Sequence, residues 1–214
     1  MNVRTIRIRG IRLLLVAACL GLWFWTQSLI GRRPVPVCGI VDWTHQVSGV
    51  GHAYLLSHPA FTNGLLIVSS LAIDLLGVYL MAYGVFGPTI RPFLGLILIF
   101  ILRQLCQALT ALPAPQDPIW HSPGFPSLLV TYGVSSDLFF SGHSAIAVFG
   151  ATELVRFRNG CLRLVGVLVC LFEITVVLVL RAHYFIDVFT GIIVALWVAS
   201  FVGCLADRLE KLYG

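Results

Sequence analysis

Six apolar runs, each long enough to cross a lipid bilayer, restrict this chain to one kind of fold. They cover roughly residues 12–30, 60–86, 93–112, 138–156, 161–181 and 185–206. A hydrocarbon core of about 30 Å takes about 20 helical residues at 1.5 Å each. Of the 214 residues, 58% are hydrophobic and only 11% are charged, and the mean hydropathy is +0.95. A water-soluble fold of this size would cover itself with charge. The expectation is an all-α polytopic membrane protein with six transmembrane helices, forming a single membrane domain over residues 1–214.

The first run follows Arg4, Arg7, Arg9 and Arg12, the pattern of a signal peptide. It is longer than a typical signal core, however, and ends in Trp23 and Trp25 rather than in small residues. It reads as a retained helix.

Orientation follows from the basic residues, which favour the cytoplasmic side. With the N-terminus inside, the inner face carries Arg4, Arg7, Arg9, Arg12, Arg91, Arg156, Arg158, Arg163, Arg208 and Lys211. The outer face carries Arg32, Arg33 and Arg181. Both termini are then cytoplasmic. The formal net charge of +5 is an orientation signal, and no nucleic-acid partner is expected. Two outer loops result, from Arg32 to about Pro59 and from Pro113 to about Ser136.

The cysteines form no disulfide framework or zinc spacing. Cys19, Cys106, Cys161, Cys170 and Cys204 lie in or at the ends of apolar runs, and Cys38 lies in the first outer loop.

Chemistry concentrates in two short stretches. Ser135–Ser144 (SSDLFFSGHS) enters the fourth run, and Arg181–Val188 (RAHYFIDV) enters the sixth. About forty residues separate His143 from His183, enough for two crossings, so both histidines return to the same face. His183 and Asp187 are four apart at a helix start and share one side of it. A carboxylate beside an imidazole fixes its tautomer and stabilises its cation. Ser141-Gly142-His143 sets a flexible step before a histidine near a helix N-terminus, where free N–H groups favour an anion such as phosphate. Two histidines, a carboxylate and an anion cradle are the parts that phosphoryl transfer through a phosphohistidine requires. Interfacial packing of the histidines, or a metal held by His143, His183 and Asp187, are the alternatives.

These two stretches resemble the motifs of the type 2 phosphatidic acid phosphatase superfamily, whose members share a six-helix membrane core. More narrowly, they resemble its sphingomyelin synthase branch, which reads roughly G-D-x-x-[YF]-S-G-H-[TS] and then H-Y-[ST]-x-D-[VI]. Asp137–Ser144 and His183–Val188 match these patterns. Arg103–Pro115 (RQLCQALTALPAP) is similar to a third element of that branch, R-x-x-T-x-x-x-T-x-L-P-x-P. The resemblance implies that His183 is the nucleophile on phosphorus and that Asp187 orients it. His143 would protonate the departing lipid alkoxide and then deprotonate the acceptor. Ser141, Gly142, Asp137, Arg103 and Tyr184 would contact substrate. No metal or organic cofactor is implied. The donor would be a membrane phospholipid, and the acceptor ceramide, another lipid alcohol or water.

The chain departs from that branch at several points. Ser135-Ser136 stands where Cys-Gly is usual, Phe185 replaces a small hydroxyl residue, and Cys106 replaces the first Thr of the third element. These changes bear on headgroup and acceptor choice. The wider superfamily's K-x6-R-P and S-R-x5-H are absent, since Gly84 and Val177 stand where their Lys and Arg belong. This argues against a plain phosphatidate phosphatase of that pattern.

Three activities share these features: a lipid phosphotransferase, a phosphatase or phospholipase C-like hydrolase with water as acceptor, and a non-catalytic lipid-binding scaffold. The sequence leaves open whether the chain is a monomer or a homo-oligomer. Arg103, Asp74 and Glu173 fall within apolar runs, where a charge costs at least ~2.5–3.5 kcal/mol and needs a partner or a wet cavity. Arg103 is expected to pair with Asp74 or Glu173, and Glu153 with Arg156 along one helix. In the first outer loop, Asp42, His45, His52 and His58 could bind metal, gate substrate or pack at the interface. Trp43, Trp120, Phe125 and Tyr132 could form an aromatic surface for a quaternary ammonium headgroup or an interfacial belt.

Overall fold

A computed structural model describes residues 3–32, 40–133 and 137–213. Cys38, Arg33, Ser135 and Ser136 lie outside the described residues. The described chain is all-α, with eight helices: α1 (Val3–Ile30), α2 (Trp43–Val47), α3 (Gly49–Ser57), α4 (Pro59–Phe86), α5 (Arg91–Leu109), α6 (Gly142–Val155), α7 (Gly160–Val179) and α8 (Phe185–Tyr213).

Five of these, α1, α4, α5, α7 and α8, are long and apolar enough to cross a membrane. Their outward sides are apolar. Leu164, Leu168 and Leu171 on α7, and Phe189, Ile193 and Leu196 on α8, are all 47–59% exposed and recur at helical spacing. Charged side chains turn inward instead: Arg12, Arg91, Arg103, Glu153, Glu173 and Asp187 are buried. This inversion of the soluble pattern is what a lipid solvent selects. The protein is a multi-pass integral membrane protein.

The expected fourth span differs. Residues 138–156 read as one helix, but α6 begins only at Gly142 and has 14 residues, about 21 Å at 1.5 Å per residue. The segment before it is irregular, and other groups claim its carbonyls. Arg103 donates to the carbonyls of Phe140 and Asp137, at 2.9 and 2.8 Å, and Gln107 donates to that of Asp137 at 2.6 Å. Irregular backbone at membrane depth is tolerated where protein buries it. α6 is the centre of the bundle, with His143 through Gly150 all buried and α4, α5, α7 and α8 packed around it. Gly95 on α5 permits one close approach, since a Cβ there would collide with the Phe149 ring.

The outer loops are structured. Asp42 caps α2, accepting from the Thr44 N–H at 2.8 Å and the Thr44 hydroxyl at 2.7 Å. The loop after α5 descends beside α4 to Asp74, whose carboxylate accepts from Ser127 Oγ and from the N–H groups of Leu128 and Leu129 at 2.8–2.9 Å. That contact removes Asp74 from the expected pairing with Arg103. Glu173 is also unavailable to Arg103, and accepts from Ser69 Oγ at 2.8 Å. Glu153 pairs with Arg91 at 3.1 Å rather than with Arg156 along its own helix. Arg91 opens α5, and its guanidinium reaches the end of α6 across a buried interface, where an ion pair gains more than at a solvated helix surface.

Candidate active site

Four helix ends meet at one end of the bundle: the C-terminal parts of α1 and α5, and the N-termini of α6 and α8. They enclose a small chamber of about 40 Å³ whose walls include Arg103, Asp137, Gly142, His143 and His183. Of the residues expected from sequence, these five converge. The backbone joins the two histidine stretches directly, because the Ser141 N–H donates to the Asp187 carbonyl at 3.0 Å.

Ser141 is the N-cap of α6. Its hydroxyl accepts from the Ser144 N–H at 3.3 Å, and its own side chain is fully buried. It shapes the helix start and lies outside the chamber lining. The N–H groups of Gly142 and His143 belong to the first-turn donors that a helix cannot use internally. A Cβ on Gly142 would lie 3.2 Å from Arg103 Nε, so the glycine lets the guanidinium lie against the helix start. A fixed cation and first-turn N–H groups therefore sit together, which is a site for an anion.

Asp137 organises the polar wall. One carboxylate oxygen accepts from Gln27 Nε2 at 2.9 Å and Thr131 Oγ1 at 3.2 Å, and pairs with Arg103 Nη2 at 3.5 Å. Gln27 brings α1 into the site. It was not singled out in the sequence, although a lone amide in an apolar run is the kind of intramembrane polar residue that signals a buried partner. Gln107, fully buried, carries the same signal.

His143 stands under Trp120, whose ring meets it edge-on at 5.1 Å. Trp120 is held by its own N–H, which donates to the Thr131 carbonyl at 3.1 Å. Nε2 of His143 is buried without a hydrogen-bond partner. Of the aromatic set, Trp120 and Tyr132 pack together at 5.0 Å, whereas Trp43 is 71% exposed on the first loop.

His183 Nδ1 faces Asp187 Oδ2 at 3.6 Å, an ion-pair separation rather than a hydrogen bond. That oxygen instead accepts from the Tyr184 N–H at 2.9 Å, so Asp187 fixes the turn that carries His183 as well as facing its ring. Tyr184 does not reach the chamber. It is buried beneath the first loop, where its ring stacks on His45 at 5.5 Å. His45 Nε2 bonds the His183 carbonyl at 2.9 Å, and Asp42 accepts from the Phe185 N–H at 2.5 Å. His52 bonds the Val179 carbonyl at 2.9 Å. Among the described residues, no three His, Cys, Asp or Glu side chains converge as a metal site. Burial raises the Asp42 carboxyl, but hydrogen bonds from Thr44 and Phe185 and the nearby His45 outweigh it and hold the group below its usual value.

A buried, mixed-charge chamber among membrane helices defines the class as an integral membrane protein with a polar internal chamber. Residues 41–204 match the family model AtPDCT1/2, and the chain belongs to that family. Its name denotes phosphatidylcholine:diacylglycerol cholinephosphotransferase, a lipid-modifying transferase. No curated protein and no solved structure matches the chain.

Proposed function

We propose that the protein transfers phosphocholine from phosphatidylcholine to a lipid alcohol through a phosphohistidine on His183. The observation that carries this reading is the convergence of His143, His183 and Arg103 on one chamber in a chain of the AtPDCT1/2 family. The family name supports phosphocholine as the group moved and diacylglycerol as the acceptor. Ceramide, implied by the resemblance to sphingomyelin synthases, is the competing acceptor. The six-helix core of the type 2 phosphatidic acid phosphatases is part of this proposal, with α6 as its short central helix.

The chemistry runs in two balanced steps. Asp187 faces Nδ1 of His183, which leaves Nε2 on the opposite side of the ring to attack phosphorus. The N–P bond forms as the bond from phosphorus to the glycerol oxygen breaks, and His143, as imidazolium, gives its proton to that oxygen. Neutral His143 then takes the proton of the acceptor hydroxyl as its oxygen attacks phosphorus and the N–P bond breaks. Arg103 and the first-turn N–H groups of α6 hold the phosphoryl oxygens, where charge builds in the transition state.

The site faces away from the cytoplasm in this reading. In support, Arg12 bonds the Gly87 carbonyl and Glu210, and Arg91 pairs with Glu153, all at the bundle end opposite the chamber. The positive-inside rule favours that basic end as the inner one, and the start of α1 and the end of α8 belong to it.

The test is turnover by purified protein in vesicles containing phosphate-labelled phosphatidylcholine, with diacylglycerol, ceramide or no added acceptor, beside His183→Ala. Label moving to an added alcohol in wild type only, with an acid-labile phosphoprotein, supports the proposal. Release of free phosphocholine regardless of acceptor would make the protein a hydrolase. Absence of turnover across a broad lipid panel would leave a lipid-binding scaffold.

A further inference from the structure

Beside the polar chamber lies a second cavity, of about 240 Å³, between α1 and α5. Its walls include Leu22, Trp23, Ile97, Phe100, Ile101 and Gln104. Leu22 and Ile101 are 57% and 55% exposed, so the groove opens on the lipid-facing side of the bundle. Trp23 and Phe100 line both cavities. Their rings stack at 5.1 Å and 11°, forming a wall one side chain thick between groove and chamber.

The groove lining is apolar apart from Thr26, Gln104 and the indole N–H of Trp23, and the Thr26 hydroxyl is already committed to carbonyls of its own helix, those of Leu22 and Trp23 at 3.0 and 2.9 Å. Asp137, as a carboxylate, can only accept hydrogen bonds, so the Gln27 amide presents its NH2 to it, at 2.9 Å. The Gln27 oxygen must then face Gln104, whose NH2 donates to it at 3.1 Å. The relay fixes the Gln104 amide as well, and its Oε1 is left buried with no partner. Trp23 Nε1 is likewise a buried donor with no partner. Unsatisfied buried polar atoms are destabilising by about 1–3 kcal/mol each, and are retained where something else satisfies them.

The geometry points to this groove as the binding site of the acceptor lipid alcohol: its acyl chain lies along α1 and α5, its hydroxyl donates to Gln104 Oε1, and its carbonyl accepts from Trp23 Nε1. One acceptor and one donor complement a lipid with a free hydroxyl and a nearby ester or amide carbonyl. Phosphatidylcholine has the carbonyl but lacks the hydroxyl. Movement of the Trp23–Phe100 pair would admit the hydroxyl to the chamber where His143 stands. This inference rests on the transferase reading for its biological sense, but the site itself is a matter of binding.

The test uses a diacylglycerol with a diazirine in one acyl chain, photolysed in vesicles containing the whole protein, followed by peptide mapping. Labelling is expected on residues 19–26 and 97–104. Unlabelled diacylglycerol should compete at least ten-fold better than the same lipid acetylated on its hydroxyl, and ceramide in a parallel arm ranks the two alcohols. Gln104→Leu should raise KM for the alcohol about ten-fold without raising KM for phosphatidylcholine. Leu22→Trp, at a position with no core contact to lose, should fill the groove and suppress labelling. Labelling elsewhere, equal competition by the acetylated lipid, or a Leu22→Trp protein labelled as wild type overturns the inference. Groove labelling with no transfer to any alcohol would instead overturn the transferase reading and leave the binding site standing.

Discussion

The Ser141 amide donates to the Asp187 carbonyl at 3.0 Å, and this single backbone bond registers the start of α6 against the start of α8. It holds the two histidine stretches at one depth. The approach depends on Gly191, one turn beyond Asp187, where a Cβ would lie 2.7 Å from the Ser141 carbonyl oxygen. Neither side can yield cheaply, because the oxygen belongs to backbone. Gly191→Ala should therefore destabilise the protein by about 1–3 kcal/mol, as overpacking does. Lipid turnover should fall at least ten-fold at temperatures where the fold persists. Thermal unfolding in detergent and turnover on the same preparation check both parts.

His143 serves in the proposed mechanism as acid and then base, a contribution of about 10²–10⁴-fold in rate. Its acid role matters only for a poor leaving group. With His143→Gln, transfer from phosphatidylcholine should drop into that range, whereas p-nitrophenyl phosphocholine should still release p-nitrophenolate in a single burst. The phosphohistidine should then persist for lack of a base. A stopped-flow burst without steady-state turnover is the expected signature; equal loss with both donors would remove His143 from the acid role.

Arg103 makes a fork of contacts, to the Phe140 carbonyl, the Asp137 carbonyl and the Asp137 carboxylate. A lysine has one point of charge and cannot satisfy all three. Arg103→Lys should lower both the melting temperature and turnover, the latter by at least ten-fold. Asp137→Asn should lower stability further, since it leaves the Arg103 charge buried without its counter-ion. An Arg103→Ala protein that folds and turns over as wild type would deny this residue any part in binding phosphate.

Asp42 ties the first loop to the start of α8, and its carboxyl sits below the usual value in the folded protein. A group with a lowered folded value contributes stability above its unfolded value and loses it as pH falls through the folded one. The difference in melting temperature between wild type and Asp42→Asn should therefore be constant from pH 8 to about 5. It should shrink only below the ordinary carboxylate range, about pH 4. A difference that vanishes near pH 6 would point to a histidine instead.

Five of the six expected spans were legible in the sequence because they depend on local composition. Length and hydropathy mark a helix that has lipid for solvent, and counting crossings brings His143 and His183 to one end. Pairing was not legible. By sequence Arg103 is matched with Asp74 or Glu173, the acidic residues near the middle of their apolar runs. Its partner is Asp137, just before an irregular segment that composition alone reads as helix. Tyr184 lies beside His183 in sequence yet turns away from the chamber, since the loop carrying Asp42 and His45 covers it. Nothing in the sequence marks Gln27 and Gln104 as partners of each other, as they are in the fold. Sequence determined which segments enter the membrane, because that choice is a sum over each segment's own residues. Tertiary structure decided which buried polar atoms meet, because each must find a partner in three dimensions and the nearest one is set by helix packing, not by distance along the chain.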